Sequence, residues 1–527
     1  MRSLILGFAS ASLLLAAGVA QEGVRWWSHI QVLADDKMEG RNTGSDGHRR
    51  AAQFVAGEFE HAGLKPAGTS GYFQPVKFDV RTIDEPASNL ALERDGKATP
   101  LELGEEASFN LRADLAARVD AQAVFVGHGL VIPESNLDEL AGLDLKGKIA
   151  VYINGGPSSI PSALKAHYSS VGERWKAFQK AGVIGMAAIA NPKSMDIPWD
   201  RAKLARLNPA MSLADKKLVD TEGMQFLITV NPANAEKIFA ASGHTFGEML
   251  RLADADQPLP HFPLNIGFRA NVKLNHSQTE SPNVVAVRPG SDPRLKSQYV
   301  VFSAHLDHLG IGQPINGDLI YNGAMDDASG VASLLEIATL MKERNLRLKR
   351  SVIFVAVTGE EKGDLGSTYF ASNPTVPKKS LVADINMDMY LPLFPLKYLE
   401  VQGLAESTLG NDIRAACDKA GVQVQADKEP DRNLFIRSDQ YSFVKQGTPA
   451  LAFKFGYLTG SPEETLTKSW LQERYHAPSD DLNQPVDKTA AAQFNRILLD
   501  VGERVANADD RPHWNENSFF RRFADGE

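Results

Sequence analysis

Three short apolar segments in the second half of the chain share one design: each reads as a buried strand and is followed at once by acidic residues or histidine. These segments are SQYVVFSAHLD, RSVIFVAVTGEE and SLVADINMDM. Apolar runs of this kind are typical of strands in a sheet that helices cover on both faces. The pattern predicts an α/β domain with polar side chains at the carboxyl ends of its strands, where α/β sheets bind ligands.

Amphipathic helices accompany these strands. The segment SGVASLLEIATLMKERN repeats apolar residues at helical spacing, and residues 488–506 do the same. Asp487 is a suitable N-cap for the second of these helices. A helix from about Gly47 to Ala62, with Gly63 just past its end, is predicted near the N-terminus. We therefore expect a central mixed, mostly parallel sheet flanked by helices.

Composition divides the chain into five parts. Residues 1–20 combine Arg2, an apolar run and small residues before Gln21, which predicts a signal peptide and export to the periplasm or the cell exterior. We assign residues 21–117 to the N-terminal part of a catalytic domain and the strand-rich residues 118–281 to an insertion. Residues 282–506 form the main catalytic domain, and the polar tail at 507–527 is expected to fray.

Charge and cysteine content narrow the possible partners and ligands. The net charge is −9 without a Lys/Arg-rich block, which argues against nucleic acid as a partner. No segment after the signal has the ~18 uncharged apolar residues of a membrane span. Cys417 is the one cysteine of the sequence, so an internal disulfide and a cysteine-based zinc site are excluded. Any metal must be bound by histidine and carboxylates.

Candidate metal ligands follow the predicted strands. His305 and Asp307 are two residues apart and face the same way along an extended chain, so we expect the Asp307 carboxylate to accept a hydrogen bond from the His305 imidazole. Asp326 and Asp327 are adjacent where a loop opens a helix. Helix capping would explain one of these two aspartates but not both.

The other candidates are ordinary residues when taken singly. Glu360 and Glu361 follow one strand, Asp388 follows another, and His476 lies in a loop before the last helix. Together the candidates comprise two histidines and several carboxylates at successive strand ends. That set suits two Zn²⁺ ions bridged by a carboxylate.

Five ordered motifs make the chain resemble a known family. HLDHLG, NGAMDDASG, TGEEKGDLGS, NMDM and YHAPSDD resemble those of the aminopeptidase Y family of zinc peptidases, in the superfamily of glutamate carboxypeptidase II and the transferrin receptor. The N-terminal segment LADDKMEGRNTGSDGHRR also resembles that family. Residues 118–281 resemble its inserted protease-associated domain.

The resemblance implies a peptide substrate, a role for each candidate and a mechanism. Asp326 would bridge the two Zn²⁺ ions, Asp327 would support its turn through an often cis peptide bond, and Asp307 would orient His305. Glu360 would be the general base for a zinc-bridging hydroxide. One zinc would be held by His305 and Asp388 and the other by Glu361 and His476.

Substrate specificity stays open at this level. An aminopeptidase is favoured, while Arg432 and Arg437 near the expected pocket keep a carboxypeptidase or dipeptidase possible. A one-zinc glutaminyl cyclase fits the domain layout less well, and a non-enzymatic receptor would be expected to lack ligands that are present here. Ala477 and Gln440 depart from the family pattern, and the oligomeric state is not defined. Candidates for a tyrosine that assists the oxyanion are Tyr441, Tyr457 and Tyr475.

Overall fold

The computed structural model describes residues 2–195, 197–240, 242–429 and 434–525. Two compact units make up the chain. The first contains residues 1–76, 280–428 and 437–527, and the second contains residues 77–279 and 429–436. The strands Phe73–Ile83 and Leu274–Arg288 each continue across a boundary between these ranges.

The first unit is built on a mixed sheet. Four neighbouring central strands run parallel, because Ser351–Val357, Tyr299–His305, Leu381–Asn386 and Ala450–Gly456 pair in that order. Antiparallel strands flank them on both sides. A mixed sheet was predicted, but parallel pairing is limited to the four central strands and to the pair Tyr398–Gln402 and Gln423–Ala426 at one edge. The remaining strands of this unit are Lys65–Pro66, Gly310–Ile315, Asp318–Tyr321, Tyr398–Gln402 and Gln423–Ala426.

Helices pack on this sheet because each presents an apolar stripe. The predicted helices lie at Asp46–His61, Ser329–Glu343 and Lys488–Asn507, and the Asp487 side chain caps the last by accepting from the Ala490 N–H. Trp26 is fully buried and donates from Nε1 to the Ser329 carbonyl. The other α-helices of this unit are Arg2–Leu33, Leu365–Ser372, Leu409–Ala420, Gln440–Val444, Pro462–Glu473 and Arg521–Asp525.

The second unit is rich in strands, as the sequence predicts for an insertion. Its strands are Asn89–Arg94, Lys97–Leu101, Ala107–Phe109, Arg118–Phe125, Val131–Ile132, Leu137–Asp138, Ile149–Ile153, Gly185–Ile189, Ala210–Leu213, Phe226–Val230 and Phe262–Asn271. Its α-helices are Ser162–Ser169, Val171–Lys180, Trp199–Ala202, Glu236–Phe239 and Phe246–Asp254.

Two assigned boundaries differ in the structure. The second unit begins at Lys77 rather than at 118, because Asn89–Arg94 and Ala107–Phe109 pair with Phe262–Asn271 and Phe226–Val230 of its own sheet. The polar tail is packed over its described part, since Trp514 and Phe520 are buried and Trp514 Nε1 donates to the Gly447 carbonyl.

The first helix, Arg2–Leu33, continues through the predicted signal cleavage site, and cleavage there stays a prediction. In the described part of the chain, none of the helices combines the length and the hydropathy that a membrane span needs.

Candidate metal centre

Three of the predicted ligand segments come together at one end of the parallel strands. His305 is the last residue of its strand, Glu360 and Glu361 follow Ser351–Val357, and Asp388 follows Leu381–Asn386. Because these strands are parallel neighbours, their carboxyl ends lie at the same edge of the sheet.

Two further ligands reach this edge from loops. Asp326 lies in the turn Ala324–Ala328, which begins after Gly323 at φ +60°, has non-helical backbone at Asp326 and Asp327, and leads into Ser329–Glu343. The peptide bond between Asp326 and Asp327 is cis, as the resemblance implied. His476 lies before the last long helix with a left-handed backbone, φ +54°.

The Asp326 carboxylate lies between two groups of donor atoms. Its Oδ1 is 3.2 Å from His305 Nε2, which is also 3.6 Å from Asp388 Oδ1. Its Oδ2 is 3.4 Å from His476 Nε2, which lies 3.4 Å from Glu361 Oε2. The structure therefore brings together all five predicted ligands, and Asp326 has the position of a bridge between two sites.

Glu360 lies beside the first group. One oxygen of its carboxylate, one nitrogen of His305 and one oxygen of Asp388 are all within 4.8 Å of one another. Burial raises the pKa of Glu360 well above its usual range against the opposing charge of His305, and Asp364 and Asp388 raise it further. A carboxyl group that holds its proton more tightly than usual is suited to act in turn as a general base and a general acid.

The donor atoms fit Zn²⁺. Burial by itself would raise the pKa of Asp326, but the neighbouring imidazoles of His308, His305 and His476 hold it well below its usual range. Asp326 Oδ2 and Glu361 Oε1 are buried without a hydrogen-bond partner among the described residues. Unsatisfied buried oxygens beside imidazole nitrogens, with no thiol, are what a nitrogen- and oxygen-liganded zinc site requires.

The deciding comparison concerns this part of the chain, for residues 283–502 match the sequence model of Peptidase family M28. These residues are therefore similar to the peptidases of family M28. The match contains every residue of the metal centre described above and agrees with the predicted class, a zinc-dependent metallopeptidase and therefore a hydrolase. The narrower assignment to the aminopeptidase Y family stays a prediction.

Individual relatives of the M28 domain agree with this class. Carboxypeptidase Q of Xenopus laevis is 34% identical over 122 residues, which are 23% of this chain and 24% of that protein. A probable zinc metalloprotease of Pyrenophora teres f. teres is 37% identical over 107 residues, or 20% and 22% of the two chains. The matches thus span about a quarter of the length of these curated relatives.

A solved structure resembles the chain over nearly its whole length. The aminopeptidase from Aneurinibacillus sp. strain AM-1 superposes with a TM-score of 0.56 at 18% identity, covering 94% of this chain and 97% of the other. At that identity the likeness concerns the fold. It confirms the predicted mixed α/β architecture.

The predicted contact between Asp307 and His305 is wrong. His305 Nδ1 lies 3.0 Å from the backbone carbonyl of Asp307, while the Asp307 carboxylate accepts from Thr43 Oγ1 at 2.9 Å and from the Glu360 N–H at 3.1 Å. The Asp307 side chain therefore positions the turn of Glu360 and Glu361 rather than the imidazole.

The Asp327 carboxylate accepts hydrogen bonds from two segments, the start of a helix and the loop of Asp388. Its Oδ1 accepts from the Gly330 N–H at 2.9 Å, at the start of Ser329–Glu343, and from the Met389 N–H at 3.1 Å. Met389 follows Asp388. Asp327 therefore ties the loop of Asp326 to the loop of Asp388.

Sequence reasoning missed Asp480, although it lies in the motif YHAPSDD. Its Oδ2 accepts from the Asp326 N–H at 3.0 Å and its Oδ1 from the Met325 N–H at 2.9 Å. Burial, opposed by a hydrogen bond from Gln484, raises the pKa of Asp480 to about 6. The signal was present as the adjacent pair Asp480 and Asp481, but the sequence does not show that it meets the Asp326 turn.

Arg41 was also missed because its segment reads as a polar loop. The side chain is fully buried and donates to four backbone carbonyls at 2.6–2.9 Å. Burial lowers the pKa of Arg41 to about 10, so it stays charged at neutral pH. Two of the acceptors directly follow His305 and Tyr321, in the loops that lead to the metal ligands. The four acceptors are the carbonyls of Leu33, Leu306, Asn322 and Gly323.

We expect Arg41→Met to lower the free energy of unfolding by about 3 kcal/mol or more, because several buried carbonyls lose their donor at once. Zinc content should fall with it, since both ligand loops lose a common anchor. Urea unfolding and zinc analysis test this. Arg50→Met is the matched control, because Arg50 donates to the Lys37 carbonyl from an exposed position and should leave both quantities unchanged. Equal effects of the two substitutions would contradict the prediction.

Asp384 carries a second stability prediction. It is fully buried under the metal centre, accepts from Ser303 Oγ at 2.8 Å, and burial raises its pKa to about 8. Because the folded pKa exceeds the unfolded value of about 3.9, the folded protein is progressively destabilised as pH rises from about 4 to 8. Asp384→Asn removes this titration, so we expect a gain of roughly 3–5 kcal/mol at pH 8 and little gain at pH 4. Thermal unfolding of both proteins across that range tests it; equal gains at both pH values would contradict it.

The structure describes some of the tyrosine and arginine residues that the sequence suggested for the substrate side of the centre. Burial raises the pKa of Tyr475 well above its usual range, and the Asp326, Glu361 and Glu360 carboxylates raise it further. Arg437 opposes that shift and so lies within electrostatic reach of Tyr475. Arg432 lies outside the described residues.

Proposed function

We propose that the chain is an exported dinuclear zinc exopeptidase that acts as an aminopeptidase. The observation that supports a site for two ions is the position of the Asp326 carboxylate. Its two oxygens face different histidines at 3.2 and 3.4 Å. One carboxylate placed between two donor groups is the arrangement that dinuclear hydrolases use.

Each ion would have two protein donors of its own besides the shared Asp326. His305, Asp388 and Asp326 would hold one, and Glu361, His476 and Asp326 would hold the other. Zinc bound there would supply Lewis acidity toward a peptide carbonyl and activate water at neutral pH.

Glu360 moves the proton in this proposal. Its carboxylate accepts the proton that the attacking water releases and returns it to the nitrogen of the departing amine. The raised pKa supports this role, because a group that binds its proton weakly would be slow to protonate an amine. Asp307 fixes the turn that presents Glu360 by accepting from its backbone N–H.

Acidic groups favour recognition of a free amino terminus. Asp439 is fully buried, and burial, opposed by His305, raises its pKa well above the usual range, with Asp364 and Asp388 raising it further. The positive charge of a substrate ammonium would reduce the repulsion between these carboxylates by pairing with them.

A carboxypeptidase is the second candidate, and two observations favour it. The relative from Xenopus laevis is named carboxypeptidase Q, and Arg437 lies within electrostatic reach of Tyr475, the neighbour of the ligand His476. A guanidinium there would bind a terminal carboxylate.

A matched set of peptides separates these activities. We expect the zinc-loaded protein to cleave peptides with a free amino terminus and an amidated carboxyl terminus, and to leave N-acetylated peptides with a free carboxyl terminus intact. The reverse preference would establish the carboxypeptidase. Cleavage of peptides blocked at both ends would exclude an exopeptidase.

The proposal has two further parts. Export would follow from removal of residues 1–20, so that amino-terminal sequencing of secreted protein should begin at Gln21. The second unit would be a protease-associated domain, which its strand-rich composition supports.

A further inference from the structure

His308 lies three residues after the ligand His305 and has no role in the proposal so far. It is fully buried, whereas the His476 side chain is 28% exposed. The ring is confined against Gly323, where a Cβ atom would lie 2.5 Å from His308 Cγ. His308 therefore occupies a defined position behind the metal centre, on its protein side.

The ring of His308 approaches the second group of donors. Its Nδ1 is 2.6 Å from Glu361 Oε1 and 3.7 Å from Asp326 Oδ2. Donors about 2.0–2.2 Å from a tetrahedral zinc are separated by roughly 3.3–3.5 Å. The His308 distances lie on either side of that range, and the two His476 distances of 3.4 Å lie within it.

The 2.6 Å distance between His308 Nδ1 and Glu361 Oε1 is that of an ion pair, but the angles at these atoms are not those of a hydrogen bond. Neither ring nitrogen of His308 has a hydrogen-bond partner within the described ranges, despite full burial, and the same is true of Glu361 Oε1 and Asp326 Oδ2. Buried polar atoms are seldom left unsatisfied, and one accepted cause is an ion that they share. His308, Asp326 and Glu361 have donor atoms within 4.8 Å of one another, which is close enough for one cation.

We propose that His308 is a further nitrogen ligand of the second metal position, beside Asp326, Glu361 and His476. This inference rests on the proposed function, since it assumes that zinc binds at the M28 centre. It makes the two positions unequal. The first has three protein donors and the second has four, two of them imidazoles.

Unequal donor sets predict unequal affinities. The second position should fill first during zinc titration and should retain its ion longer against a chelator, because each neutral imidazole adds a strong zinc bond without adding charge repulsion. Removing His308 should make the affinities of the two positions more similar.

X-ray absorption of the full-length protein loaded with two zinc ions tests the proposal without using activity. We expect about 1.5 imidazoles per zinc in the wild type and about 1.0 in His308→Asn. Asparagine keeps a polar atom near the position of Nδ1 but removes the imidazole. His48→Asn is the control, because His48 is equally buried in the same unit and its Nδ1 bonds to Ser281 Oγ, so the count should stay at about 1.5.

Zinc titration against a chromophoric chelator gives the second measurement. His308→Asn is expected to weaken the tighter site by about 100-fold, and His48→Asn should leave both sites unchanged. A wild-type count of about 1.0, which requires no variant to fold, would overturn the inference, as would tight binding retained in His308→Asn. In either case uptake of two zinc ions would leave the proposed function intact, whereas wild-type protein that binds no zinc would refute both.

Discussion

Glu360→Gln is expected to retain both zinc ions and to lose about 10³- to 10⁴-fold in kcat. Glutamine keeps the size of the side chain and can still donate and accept hydrogen bonds, but it cannot take up the proton of the attacking water. Glu360 is within 4.8 Å of donor atoms of His305 and Asp388, so its charge state affects the reacting centre directly. Turnover of a free-amino-terminus peptide and zinc analysis by mass spectrometry give the two readouts.

Zinc content decides what a loss of activity by Glu360→Gln means. A loss of zinc together with activity would make Glu360 a ligand rather than the base, and full turnover would exclude it as the base. Glu463→Gln is the matched control, since Glu463 lies in the partly exposed first turn of Pro462–Glu473, outside the group of metal-centre residues, where the same change should have no effect on turnover or zinc content.

Asp326→Asn is expected to abolish the dinuclear centre. The carboxylate spans both donor groups through its two oxygens, and asparagine has one oxygen and one amide nitrogen, which cannot bind zinc while it carries its protons. The variant also loses the negative charge that two divalent ions share. We expect at most one zinc per chain and a loss of about 10⁴-fold or more in kcat/KM that added zinc does not restore.

Folding must be separated from metal binding in the Asp326→Asn variant. Asp326 is buried, and the metal-free wild type needs its charge beside three histidines, so we compare thermal unfolding of both proteins with zinc removed. Asp318→Asn, in an exposed hairpin strand of the same unit, should bind two ions and keep full activity. Two tightly bound zinc ions in Asp326→Asn would contradict the bridging role.

The metal ligands could be predicted because strand direction and residue type act locally. Apolar β-branched runs predict buried parallel strands, and residues at the carboxyl ends of such strands share one edge. His305, Glu361 and Asp388 therefore converge by topology alone. Asp326 and His476 lie on loops, and the ordered motifs were needed to include them.

Contacts between distant loops could not be predicted in the same way. Arg41 joins segments that are more than 260 residues apart, and Asp480 holds the turn of Asp326 from a distance of 154 residues. His308 stands in a motif whose first histidine already explained the pattern. No periodicity encodes which carbonyl or carboxylate such side chains meet, because that depends on how the whole chain packs.

Residue types and their order along the chain thus predicted the fold class and the positions of the five ligand candidates, while the resemblance to a zinc peptidase family supplied the proposed roles of Asp326 and Glu360. The tertiary structure decided that Asp307 serves the glutamate turn, that the second unit begins at Lys77, and that Arg41, Asp480 and His308 surround the centre. These features depend on distances of a few ångströms between residues far apart in sequence, and packing of the complete chain is what sets such distances.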